Sequence, residues 1–194
     1  MNNKIKYFDY ASTTPCESEV IQEMIKHLSI ENNFGNPHSR NHEFGWNAEK
    51  VLENARKNIA DLINANEKEI IFTSGATESN NLAIKGYALG PDYKGGTILS
   101  IETEHKCVIE SLRYLKHKDF PVEFLQVENS GLLNLDLLKE KVKDAEFLSI
   151  SYVNNETGVI QNISEISKIC RANNVILHVD AAQAFGKINI DARE

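Results

Sequence analysis

The chain has 194 residues, 41% hydrophobic and 25% charged, a globular composition in the size range of one domain that argues against disorder. Its net charge of −7, with no dense Lys/Arg cluster, gives no support to a nucleic-acid surface, and no apolar run approaches the roughly 20 residues of a membrane helix. The N-terminal MNNKIKYFDY lacks the apolar stretch of a secretory signal, and three scattered cysteines, Cys16, Cys107 and Cys170, do not make a disulfide framework, so a reducing, cytoplasmic setting is expected.

Residues 17–30 place Val20, Met24, Ile25 and Leu28 on one face, a helical spacing. The turn-rich ENNFGNPHSR (31–40) reads as a loop. A long amphipathic helix is predicted over 42–63, with Val51, Leu52, Ala55, Ile59 and Leu62 as its inner stripe. Short apolar runs then alternate with helical patterns. Strands are expected at 69–74, 97–101, 122–127, 146–153 and 175–180, and helices at 77–89, 106–117, 135–144 and 163–173. That rhythm predicts an α/β fold, a mostly parallel sheet with helices on both faces. No repeat, linker or internal domain boundary is evident, and only the first 15 residues read as peripheral.

In such sheets ligands bind beyond the carboxyl ends of the strands. Four polar sets fall at those ends: Ser74-Gly75-Ala76-Thr77, Glu102-Thr103-Glu104-His105, Asn154-Asn155-Glu156 and Asp180-Ala181-Ala182-Gln183. The first turns through a glycine into a helix N-terminus, a setting for phosphate, although these residues alone read more readily as a plain cap by Ser74 or Thr77. His105 could stack on a ring or carry a proton, or simply sit in a cap region. The Asn154-Asn155 amides could meet ligand oxygens or build an Asx-turn. Asp180 ends a strand that reads as buried on both faces; its carboxylate could pair with a pyridinium nitrogen or cap the following turn. Together the four sets describe one ligand, pyridoxal phosphate: a phosphate, an aromatic ring with a basic nitrogen, and a phenolic oxygen.

Other constellations carry less. His38 and His42 lie four apart with no third ligand nearby, so no metal site is expected. Trp46 with Phe44 reads as an aromatic anchor, in the core or at a dimer interface. Cys107, at a helix N-terminus, reads as packing.

The motifs FDYASTTP, NFGNPHSRNHEFGW, FTSGATESNNLAIKG, ETEHKCV, YVNNETGV and HVDAAQAFGKI, in this order along the whole chain, resemble the cysteine desulfurases of the housekeeping iron–sulfur-cluster type. These are class V, fold-type I pyridoxal-phosphate enzymes. The resemblance implies a fold-type I large domain over residues 16–194, with residues 1–15 belonging to the small domain. It implies that Ala76 and Thr77 bind the cofactor phosphate. His105 would stack on the pyridine ring and act as acid–base. Asn155 would contact the ring oxygen or substrate, Asp180 the pyridine nitrogen, and Gln183 the phenolic oxygen. The family takes sulfur from L-cysteine, leaving L-alanine and an enzyme persulfide that supplies iron–sulfur scaffolds and tRNA thiolation. A homodimer is implied for the full-length protein, with no direct nucleic-acid or membrane partner.

Ala182 and Ala184 stand where relatives often carry Thr and Ser, with little effect expected. The family's cofactor-bearing lysine, its persulfide cysteine, its substrate-binding arginine and its small domain would follow Asp180 and are not reached by residue 194. Lys187 has no matching motif. The fold is therefore expected to be truncated at the C-terminus and the chain inactive alone. Two alternatives are a degenerate desulfurase serving as a binding or dimerisation module, and another class V enzyme such as a selenocysteine lyase or an aminotransferase. NNFGNPHSRNHEFGW and VNNETGVIQ favour desulfurase over the latter.

Overall fold

The computed structural model describes residues 5–193; residues 1–4 of the expected N-terminal segment, and residue 194, lie outside the described residues. The chain divides into two compact units, one formed by residues up to Ile71 with Ile190–Arg193, the other by Phe72–Asn189.

In the first unit α1 spans Ser18–Lys26 and α2 spans Glu43–Leu62. The loop before α2 packs onto it by close backbone approach. A Cβ on Gly45 would stand 1.6 Å from the Ser39 carbonyl oxygen, so only glycine fits there. His42 caps α2, its Nδ1 accepting from the Gly45 N–H at 3.2 Å. That is a structural use for one of the two spaced histidines. The Trp46 indole donates to the Arg40 carbonyl at 2.8 Å, and the ring is 55% exposed, so it is not a core anchor. Past α2, residues 190–193 return to its end: Ala192 N–H donates to Ile63 O, Asn64 to the Asp191 carboxylate, and Arg193 to Asn64 O.

Two expectations for this unit change. The α1 face carrying Val20, Met24 and Ile25 has no buried residue among those described, and Leu28 falls beyond the helix. Spacing reports which face is apolar, whereas burial needs a partner surface. Leu62, placed in the α2 stripe, is exposed, and Ala60 is buried in its stead.

The second unit is a four-stranded parallel sheet in the order β2-β1-β3-β4, with β1 Thr97–Ile101, β2 Val122–Leu125, β3 Ala145–Ser151 and β4 Ile176–Asp180. The intervening helices are α3 Ala76–Ala88, α4 Lys106–Lys116, α5 Leu135–Lys141 and α6 Ile163–Ala172. They cover both faces, because alternate strand residues point to opposite sides. Leu99, Ile101, Leu148 and Ile150 join Leu138 of α5 with Ile166 and Cys170 of α6. Ile98 and Phe147 join Ile84 of α3 with Val108, Leu112 and Leu115 of α4. Ser100, Ser149 and Ser151, all buried, alternate into the α3–α4 face.

The expected strand over 69–74 does not form. Glu67–Glu69 makes a 3-10 turn, and residues 70–73 belong to none of the four strands of the sheet. Ile71 and Phe72 are 70% and 44% exposed. A strand exists only by pairing, so an apolar run alone does not make one. Likewise β4 has a described neighbour on one side only, and its residues are half-buried except the exposed Ile176. It is therefore not the doubly covered strand the sequence predicted.

Candidate active site

Every predicted site residue lies in the second unit, at the carboxyl end of its sheet or at the start of α3. The turn into α3 runs through Gly75, whose Cβ position meets no atom within 4 Å. No side chain caps the helix, and among the described residues no acceptor meets the Ala76 and Thr77 N–H groups. The Glu78 side chain does not reach those N–H groups. Its carboxylate folds back onto Ser74, accepting the backbone N–H at 2.6 Å and the hydroxyl at 2.5 Å. Those bonds, the hydroxyl's first, hold its pKa below the ordinary carboxylate value. The helix N-terminus is thus open toward solvent, as an anion cup requires.

Asp180 closes β4 with both oxygens engaged. Oδ1 accepts the Ala182 N–H at 2.9 Å, and Oδ2 accepts from Asn80 Nδ2 at 2.7 Å. The turn cap and the ligand-facing carboxylate are therefore compatible, since each carboxylate oxygen has a second lone pair. The chain continues into a turn in which Gln183 Oε1 accepts from Lys187 Nζ at 3.2 Å. Lys187 is exposed in that turn. Ala184 is fully buried.

At the end of β3 the two amides divide their work. Asn154 builds the Asx-turn: its Oδ1 accepts the N–H groups of Glu156 and Thr157 at 3.0 and 2.9 Å, while its Nδ2 donates to the Thr103 carbonyl at 2.7 Å. It thereby ties the β3 end to the β1 end. Asn155 is half-buried, and its amide donates to Glu156 Oε1 at 3.3 Å.

His105 is the N-cap of α4, with Nδ1 accepting the Cys107 N–H at 3.2 Å. Beside it stands Glu104, a residue the sequence reading left without a role. It is 7% exposed, and its Oε1 accepts the Ser151 N–H at 2.7 Å. Among the described residues its Oε2 and the Ser151 hydroxyl are buried with no hydrogen-bond partner. Burial foremost, with the Asp180 charge adding to it, pushes the Glu104 carboxyl up to about 7 against the pull of Ser151. The other overlooked residue is Asn80, buried on α3, whose amide reaches both Asp180 and Cys107. A polar residue on the inward face of a predicted helix was the available signal for it.

The histidine inside β4 serves the core. His178 Nδ1 lies 2.9 Å from the Ser149 hydroxyl and the ring stacks on Phe147, with burial holding its pKa down. Cys170 is buried, its thiol pushed up to about 11 by that burial, and is inert packing.

Residues 6–194 match the class-V aminotransferase family. The chain is 53% identical over 189 residues to the cysteine desulfurase IscS of Buchnera aphidicola subsp. Baizongia pistaciae, covering 97% of this chain and 47% of that protein. It is 50% identical over 194 residues to the cysteine desulfurase IscS of Buchnera aphidicola subsp. Schizaphis graminum, covering 100% and 48%. Among solved structures, a NifS-like protein superposes with a TM-score of 0.91 at 36% identity, over 97% of this chain and 52% of that one. DndA from Streptomyces lividans superposes with a TM-score of 0.81 at 40% identity, over 95% and 51%. The chain spans about half the length of the curated relatives it matches. The expected architecture, the large domain of a fold-type I pyridoxal-phosphate enzyme, is the one these structures share. From its fold, its strand-end residues and these matches, the chain belongs to the class-V aminotransferase family.

Proposed function

We propose that this chain forms the cofactor-binding half of a cysteine desulfurase, an enzyme that takes sulfur from L-cysteine and leaves L-alanine and an enzyme persulfide. The family is pyridoxal-phosphate-dependent. The observation that carries the reading is the pairing of an open helix N-terminus at Gly75-Ala76-Thr77 with a carboxylate held at the neighbouring strand end by Asn80. These two features suit a phosphate and a protonated ring nitrogen, and the residues present fit the cofactor.

In this reading the Ala76 and Thr77 N–H groups, at the positive end of the α3 dipole, hold the phosphate. Asp180 would hold the proton on the ring nitrogen, Gln183 would meet the phenolic oxygen, and Asn155 would contact the ring oxygen or the substrate. His105 would stack on the ring and carry a proton. The bound cofactor supplies the electron sink that labilises bonds to the substrate's α-carbon. Residues 1–15 belong with a small domain. L-cysteine is the substrate, iron–sulfur scaffolds and sulfur-acceptor proteins are the recipients, and the full-length protein is a cytoplasmic homodimer. Among the described residues no helix is long and apolar enough to cross a membrane.

Calorimetric titration with pyridoxamine phosphate tests the cradle, because that molecule has no aldehyde to react with surface lysines. Saturable binding by the wild-type chain, weakened at least about tenfold by Asp180→Asn, is expected for loss of a charge-assisted hydrogen bond. Binding absent in the wild type, or unchanged by Asp180→Asn, would overturn the proposal. In the intact protein, sulfide release from L-cysteine in the presence of a thiol reductant tests the reaction.

A further inference from the structure

Every hydrogen bond to the His105 ring in the described structure falls on Nδ1. That nitrogen accepts the Cys107 N–H, so it carries no proton, and the neutral ring must hold its proton at Nε2. Cys107 Sγ stands 3.0 Å from the same Nδ1. Against an unprotonated nitrogen the thiol can only donate, S–H toward Nδ1. Its sulfur then accepts from Asn80 Nδ2 at 3.3 Å. The same amide nitrogen donates to Asp180 Oδ2 at 2.7 Å. A primary amide has two hydrogens, and this one spends one on each partner. Asn80 is only 3% exposed, so water does not compete for them.

The donors therefore run in one direction, from a single buried amide outward to both residues that would address the cofactor ring. We infer that Asn80 and Cys107 are positioning residues that fix His105 in its Nε2–H form and link it to the Asp180 carboxylate. This rests on the proposed role of His105 as the ring-stacking proton carrier. A helix cap alone would need only the Cys107 N–H; the thiol and the amide, reaching to a residue 100 positions away, add the link. The chemical consequence is a direction. Neutral His105 presents a hydrogen-bond donor at Nε2, and a proton placed on Nδ1 would break both the cap and the thiol contact.

Long-range proton–nitrogen correlation spectra of the ¹⁵N-histidine-labelled chain read the tautomer directly. They are recorded without cofactor at alkaline pH, with His105→Gln identifying the signal. The Nε2–H form is expected in the wild type. Cys107→Ala should lower the Nε2–H to Nδ1–H ratio about fivefold, the worth of one hydrogen bond. Cys107→Ser, which keeps a donor, should restore most of it, and Asn80→Ala should shift the His105 nitrogens in the same sense as Cys107→Ala. A proton on Nδ1 in the wild type would overturn the inference, and that measurement needs no variant to fold. So would folded Cys107→Ala and Asn80→Ala chains whose His105 nitrogen shifts match the wild type, the result a merely structural role gives. Because no cofactor is present, failure of pyridoxamine phosphate to bind would sink the proposed function and leave this result standing.

Discussion

Replacing Glu104 by Gln should stabilise the chain, and only above a definite pH. The carboxyl is buried at the β1–α4 junction, with one oxygen on the Ser151 N–H and the other unpartnered among the described residues. Its pKa rises from 4.5 to about 7 in the folded state. Below pH 4.5 the group is protonated in folded and unfolded chains alike, so it costs nothing. Between 4.5 and about 7 the unfolded chain releases the proton while the folded chain keeps it. Folding then becomes less favourable as pH rises, and the cost levels off above about 7. At about 1.4 kcal/mol for each tenfold change in proton affinity, the full cost is about 3 kcal/mol. Gln has the shape of the protonated acid and keeps an acceptor for Ser151, so Glu104→Gln should recover most of that at pH of about 8 and almost none near pH 4.5. Urea unfolding of both chains at the two pH values measures it. His178, whose pKa burial holds down, contributes the opposite trend, stability lost as pH falls through 6.5; being present in both chains, it cancels in the difference. Equal pH dependence in the two chains, or a loss of stability at pH of about 8, would refute the reasoning.

Glu146 accepts from the Tyr87 hydroxyl and the Lys94 and Gly96 N–H groups at 2.6 to 2.8 Å. Glu146→Ala should cost about 2–3 kcal/mol in urea unfolding. Burial alone would raise this carboxyl's pKa, but those three bonds outweigh it and hold it below 4.5. The loss should therefore be full above pH 4.5 and shrink as pH falls below it. Asn154→Ala removes the donor to Thr103 O and the acceptor of two N–H groups. Amide exchange at Glu156 and Thr157 should accelerate at least about tenfold, read by hydrogen-exchange spectra. Leu148→Ala, at a fully buried position in the inner strand β3, should lower unfolding free energy by about 2–5 kcal/mol.

Much of the second unit was legible because its signals are local. Apolar runs such as TILSI and VILHVD alternating with helical spacing are enough to name a parallel sheet, and polar residues just past each run are enough to name the edge where a ligand is expected. The strand expected at 69–74 shows the limit, since pairing is set by neighbours that periodicity does not report. The same limit applies to α1, whose apolar spacing does not report burial: none of its described residues is buried. Within the site, single residues such as Asp180 stood out through their position. Glu104 and Asn80 did not, because their importance lies in what they touch across the fold: Ser151 in one case, Cys107 and Asp180 in the other. The choice between turn and ligand at Asn154-Asn155 could not be made from sequence: the Asn154 side chain builds the turn, while the Asn155 amide donates to Glu156.

The serines that alternate into one face of the sheet give the two layers unequal tolerance to evolution. Beneath α5 and α6 the strands present Leu and Ile, where loss of volume is the hazard. Beneath α3 and α4 they present Ser100, Ser149 and Ser151 beside Ile98 and Phe147, where gain of volume is. A bulkier residue at Ser100 has to be accommodated by lifting a helix, and the helices on that side begin at Ala76 and immediately after His105. Drift in that layer would therefore displace the starts of two helices as well as cost stability, whereas drift in the other layer would register as lost stability. Screens that select variants on melting temperature alone would report the lost stability but not the displaced helix starts.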